Sequence, residues 1–130
     1  MMVTSGFAQV PGARLYFEIQ GSGPALVLLT NSPENTDLTF DALAESFQVI
    51  RYDRRGIGKS SSIPDIPFSP VDDLLELLDH LSLNTVTIAE LTPGATIAKA
   101  FAGTYPERVL AIVPINSLLP SIRGSGPSLQ

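Results

Sequence analysis

The stretch Val86-Thr87-Ile88-Ala89-Glu90-Leu91-Thr92-Pro93-Gly94-Ala95 leaves this chain few architectures. Val86 to Ala89 is apolar enough for a strand covered on both faces. Thr92, Pro93 and Gly94 interrupt it. From Ala95 to Tyr105 the small residues Ala95, Ala98 and Ala102 share a helical face suited to close packing on a sheet, and Pro106 ends the helix. A buried strand that turns directly into a helix is half of a strand–helix–strand unit. Such units build parallel sheets with helices on their faces.

The rest of the chain extends that plan. Phe7 to Val10 and Leu15 to Ile19 predict a hairpin around Pro11-Gly12-Ala13, with Leu15, Phe17 and Ile19 alternating against Tyr16, Glu18 and Gln20. Gly21-Ser22-Gly23-Pro24 breaks the chain. Ala25 to Leu29 is a second fully apolar strand, followed by the polar loop Thr30 to Asn35. A short helix is predicted from Leu38 to Phe47, with Leu38, Ala42, Leu43 and Phe47 inward. Gln48 to Tyr52 is the next strand, Asp53 to Ser60 a loop, and Ser61 to Pro67 proline-broken coil. Ser69 caps a helix that runs to Leu81, with Pro70 in its first position and Asp72 near the positive end of its dipole. Val71, Leu74, Leu75, Leu78 and Leu81 form its apolar stripe. Val109 to Ile115 is the last strand, and Ser121 to Gln130 a Gly/Ser/Pro tail. The expectation is one domain over residues 1–120 and a flexible tail over 121–130. Its fold is a three-layer α/β sandwich with a mostly parallel, doubly wound sheet.

Composition removes several functions. The net charge of -5 opposes nucleic-acid and anionic-membrane partners, which need clustered Lys and Arg. The chain has no cysteine, so disulfides, thiolate metal sites and a cysteine nucleophile are excluded. No signal peptide is visible from Met1 to Ala13, and no apolar stretch approaches the ~20 residues that span a bilayer. A cytoplasmic protein without metal or cofactor is expected.

Three motifs carry a resemblance. Gly21-Ser22-Gly23-Pro24 precedes the Leu26-to-Leu29 strand. Asp53-Arg54-Arg55-Gly56-Ile57-Gly58-Lys59-Ser60 is similar to a D-x-R-G-x-G-x-S loop. The run from Val86 through Tyr105-Pro106-Glu107-Arg108-Val109 has the form of a nucleophile strand, elbow and following helix. Together they resemble the N-terminal half of the α/β-hydrolase fold, closest to its esterase, epoxide-hydrolase and haloperoxidase-like members. The resemblance implies a G-x-S-x-G elbow, and it places Glu90 at the first glycine, Thr92 at the serine and Gly94 at the second glycine. Thr92 is then the candidate nucleophile, in a strained turn where a β-branched residue is costly. Pro93 follows it and has no backbone N–H to serve an oxyanion hole. Asn31, in the loop after the Leu29 strand, is the candidate second oxyanion donor. The family's acid, histidine and lid would follow the strand that ends near Ile115.

Other candidates carry ordinary alternatives. Glu90 is a candidate base for Thr92, or a polar residue at a strand end bonded to loop N–H groups. His80, the only histidine, reads as a solvated side chain at the negative end of its helix. Gly56-Ile57-Gly58-Lys59-Ser60 resembles the tail of a phosphate-binding loop, but Asp53 stands where its first glycine belongs. The alternative is a tight structural loop built on Asp53, Arg55, Gly56, Gly58 and Ser60, with Asp53 paired to a nearby arginine. Asp72, Asp73, Glu76 and Asp79 read as a solvated acidic face rather than a metal site.

Three functions stay open at this point. The chain is a catalytically silent or severely impaired relative of the hydrolases, either a binding module for a small-molecule ligand or a remnant. Alternatively it is an ester hydrolase with Thr92 as nucleophile, its acid and histidine lying beyond Gln130. The distant alternative is nucleotide binding at Gly56 to Ser60. The strand Val109 to Ile115 is expected at an apolar open edge, covered by a second copy, a further segment or another protein.

Overall fold

The computed structural model describes residues 2–30, 36–62, 67–91 and 96–115. Strands β1 (Val3–Val10) and β2 (Ala13–Gln20) pair antiparallel from Val3 with Gln20 to Val10 with Ala13, a longer hairpin than the alternation alone predicts. They are followed by β3 (Ala25–Leu29), helix α1 (Asp37–Leu43), β4 (Gln48–Tyr52) and a two-residue β5 (Ser61–Ser62). Helix α2 (Pro70–His80), β6 (Val86–Glu90), α3 (Thr96–Thr104), a 3-10 turn at Pro106–Arg108 and β7 (Val109–Pro114) complete the described elements.

The strands lie in the order β1-β2-β4-β3-β6-β7, with β5 beside β2. The hairpin and the β2–β4 contact are antiparallel, whereas β4, β3, β6 and β7 run parallel. The fold is the expected α/β sandwich. One face packs Val27, Leu29, Ile50, Val86 and Ile88 under Leu74, Leu77 and Leu78 of α2 and Ala98 and Phe101 of α3. The other packs Leu26, Leu28, Val49, Ala89 and Leu91 under Phe40 and Ala44. Every residue from Leu26 to Leu29 is buried, as a doubly covered strand requires. Gly21, at φ +89°, lets the chain enter β3 because a Cβ there would strike the carbonyl oxygens of Ala44 and Phe47.

Two expectations are corrected here. Helix α1 stops at Leu43, and its buried residue is Phe40, not Leu38, which is 75% exposed, or Ala42. Phe40 wins because it sits beneath the Arg51 guanidinium at 4.0 Å and fills the sheet face beside Val49. Asp73 does not belong to a solvated acidic face. It is buried and paired with Arg55, while Leu77 joins the apolar stripe. The proline-broken coil also contains β5, held to Ala13 and Arg14 of β2.

Strand β7 is the outer strand on its side of the described sheet, and Leu110 and Val113 on it are exposed. No helix of the described residues is long and apolar enough to cross a membrane. The tail expected at Ser121–Gln130 lies outside the described residues.

Candidate functional site

Ligands of open parallel sheets collect at the carboxyl ends of the strands, so the ends of β3, β4 and β6 are the place to build a site. β3 and β6 finish side by side: Leu29 is paired with Glu90, and the Leu91 N–H donates to the Leu29 carbonyl at 2.8 Å. Thr30 and Leu91 therefore leave adjacent strand ends. Asn31 and Thr92 are the next residues in each segment, and both lie outside the described residues, as do Pro93 and Gly94. Glu90 is half-buried, and its carbonyl accepts from the Ile115 N–H at 2.8 Å. Its carboxylate has no ion-pair or hydrogen-bond partner among the described residues.

His80 is exposed and meets the Phe17 ring edge-on at 5.8 Å. Phe17 is on β2, and β4 and β3 separate β2 from β6, roughly 14 Å of sheet at ~4.8 Å per strand. The structure does not bring His80 to the end of β6.

A cavity of about 510 Å³ opens at these strand ends, lined by Thr30, Glu18, Arg51, Tyr16, Tyr52 and Lys59 among others. Glu90 does not line it. Its charged wall is ordered: Arg51 donates from Nε to Glu18 at 2.8 Å and from Nη1 to Asp37 and Thr36, both at 2.8 Å. The Tyr16 hydroxyl donates to the second Glu18 oxygen at 2.7 Å. Burial raises the Glu18 pKa, but hydrogen bonds from Tyr16 and Arg51 and the charges of Arg51 and Lys59 outweigh it and hold the carboxyl below its ordinary value. The Lys59 ammonium lies over the Tyr16 ring at 4.6 Å and makes no ion pair among the described residues. Sequence reasoning selected neither Glu18 nor Arg51 for a site, and met Lys59 only within the Gly56–Ser60 loop. The available signal was the polar side of the β2 alternation, which faces α1 and the cavity rather than open solvent.

The loop after β4 is built differently from the expectation. Asp53 does not pair with an arginine; its carboxylate accepts from the Lys59 N–H at 2.9 Å. The arginine pairing goes instead from Arg55 to Asp73, which can reach both guanidinium donors on one edge. Ser60 donates from its hydroxyl to the Asp53 carbonyl at 2.6 Å and accepts from the Tyr16 N–H at 2.8 Å, tying the loop to β2. Gly58, at φ +55°, leaves the space that the Asp53 carboxylate fills. A phosphate cradle needs that N–H free and a helix behind it. Here a carboxylate occupies the N–H and the chain continues into β5, so the nucleotide reading loses its physical basis.

The model of the alpha/beta hydrolase fold family matches residues 24–126. The uncharacterized hydrolase YraK of Bacillus subtilis is 29% identical over 126 residues, which cover 92% of this chain and 46% of YraK. Bifunctional epoxide hydrolase 2 of Sus scrofa is 33% identical over 115 residues, 82% of this chain and 21% of that protein. Among solved structures, Cfl2 of Burkholderia cenocepacia superimposes with a TM-score of 0.77 at 28% identity, covering 91% of this chain and 42% of that one. The chain thus spans less than half the length of each of these relatives.

Proposed function

We propose, from the premise that this chain belongs to the α/β-hydrolase fold family, that it binds a small molecule at the ends of β3 and β4 without hydrolysing it. The observation that carries this reading is Pro93, which follows the nucleophile position Thr92. In this fold the N–H of that following residue stabilises the oxyanion, and proline has none. Losing one such donor lowers turnover about 10²–10³-fold. Thr92 adds a β-branched side chain where the elbow tolerates it poorly, and Glu90 puts a carboxylate at a glycine position. The cavity beside Thr30 remains usable for binding because its wall does not depend on that chemistry.

Turnover of 4-nitrophenyl acetate and of styrene oxide is the test, the latter because epoxides are named for the pig and mouse relatives. Rates at background, unchanged by Thr92→Ala, are expected. Rates above background that Thr92→Ala removes overturn the reading. Ligands found by a rise in melting temperature should lose their effect in Lys59→Met.

A second reading keeps catalysis. Here Thr92 is the nucleophile of an ester or related small-molecule hydrolase, Glu90 or a later residue serves it, and the acid and histidine lie beyond Gln130. The exposed apolar edge at Leu110 and Val113 and the greater length of the relatives favour it. Thr92-dependent turnover that appears only when the natural sequence after Gln130 is present supports this reading over the first.

A further inference from the structure

The Arg55 side chain is covered, only 4% exposed, yet not all of it is satisfied. Its Nε and Nη2 donate to the two oxygens of Asp73 at 3.0 and 2.8 Å, and Nη2 also donates to the Pro11 carbonyl at 2.6 Å. The two bonds to Asp73 use one edge of the guanidinium, and the Pro11 carbonyl takes the second Nη2 hydrogen. Phe68 covers its face at 4.5 Å. Nη1 is buried and has no hydrogen-bond partner among the described residues. Its two hydrogens lie in the guanidinium plane, on the side away from Asp73. A charged donor withdrawn from water without a partner is costly, so a native structure supplies one.

The space for that partner adjoins Arg55. A cavity of about 220 Å³ is lined by Arg55, Arg54, Tyr52, Ile57, Phe68 and Pro70, with Asp73 behind them. At ~30 Å³ of liquid volume per water, it is larger than a single bridging water requires. The Arg54 side chain has no ion pair or hydrogen bond among the described residues. Asp73, the only carboxylate of the wall among the described residues, has both oxygens engaged by Arg55. Two guanidiniums against one carboxylate make this wall cationic in a chain of net charge -5. Burial pushes the Tyr52 hydroxyl well above its ordinary range, so it keeps its proton and is a further donor. Ile57, Phe68 and Pro70 make the opposite wall apolar.

We propose that this cavity is a binding site for a small carboxylate. Its anion lies between Arg54 and Nη1 of Arg55, and its hydrocarbon part lies against Ile57, Phe68 and Pro70. The apolar wall favours an amphiphilic carboxylate over inorganic phosphate, which would leave that wall uncovered. The site shares only Tyr52 and Ile57 with the larger cavity. It does not depend on the elbow chemistry, so it stands or falls separately from the function proposed above.

The experiment is a titration of sodium benzoate at fixed ionic strength, read at the arginine Nε–H resonances. A saturable shift of the Arg55 resonance is expected. Benzamide, the same shape without the charge, should give none. Arg54→Gln leaves the Arg55–Asp73 pair intact and is expected to melt as the wild type does. It should bind benzoate about tenfold or more weakly, the loss of one charge-assisted hydrogen bond. The proposal is overturned if benzoate moves the resonance no more than sodium chloride does. It is also overturned if Arg54→Gln binds benzoate as tightly as the wild type. Phosphate binding equal to benzoate and unaffected by Phe68→Ala removes the carboxylate assignment.

Discussion

Arg51 and Arg55 stand at the two sides of the end of β4, and the fold handles their charges in opposite ways. Arg51 packs on Phe40 with 24% of its side chain exposed and shares its donors between Glu18 and Asp37. Arg55 packs on Phe68, has 4% of its side chain exposed, and among the described residues is held by Asp73 as its one carboxylate. Both are cations on aromatic rings with carboxylate partners, so residue type does not distinguish them. Solvent does. Around Arg51, water screens the pairs, and no single partner is indispensable. Around Arg55, Phe68 covers the guanidinium and Asp73 is itself buried, so loss of the one pair strands a shielded charge.

The sharpest way to break this comparison is Asp73→Ala. It leaves a buried guanidinium without its carboxylate and should cost about 3–5 kcal/mol in urea unfolding, with little salt dependence. A loss below about 1 kcal/mol would put Arg55 in the same class as Arg51. Replacing the pair together, Arg55→Met with Asp73→Leu, should restore most of that stability, because the charges leave with their desolvation cost.

Gly58→Ala tests the loop that joins the two centres. Its left-handed backbone and the Asp53 carboxylate in its path predict a loss of about 1–3 kcal/mol by thermal unfolding. Glu18→Gln should cost under about 1 kcal/mol, since Arg51 keeps Asp37, and the effect should shrink in high salt.

The smallest effect is in pH. Glu18 has a folded pKa below its ordinary 4.5. A depressed carboxyl stabilises the fold above the unfolded pKa and loses that contribution as pH falls through the folded pKa. The gap in urea midpoint between wild type and Glu18→Gln should be constant near neutrality and close below about pH 4.

Much of this architecture was legible because it follows from local rules. Val86 to Ala89 and Leu26 to Leu29 have no polar side to offer water, so they had to be interior strands. Ser69 and Pro70 specify a helix start without any tertiary contact, and the cap bond from the Asp72 N–H to the Ser69 hydroxyl is present. The motifs placed the chain in its family for the same reason: glycines at tight approaches, such as Gly21 and Gly58, are required by backbone geometry.

Sequence alone determined most of the strands and helices and their parallel arrangement. Tertiary structure decided which charges meet. Asp73 lies in an acidic run and reads as solvated until α2 packs and carries it to Arg55. Asp53 reads as an arginine's partner until the loop folds and the Lys59 N–H reaches it first. Glu18 and Arg51 are far apart in the chain and become neighbours only when β2 pairs with β4. Local propensity acts over a few residues and is written in order along the chain. Pairing of charges depends on burial and on distances across the sheet, which no short stretch of sequence contains.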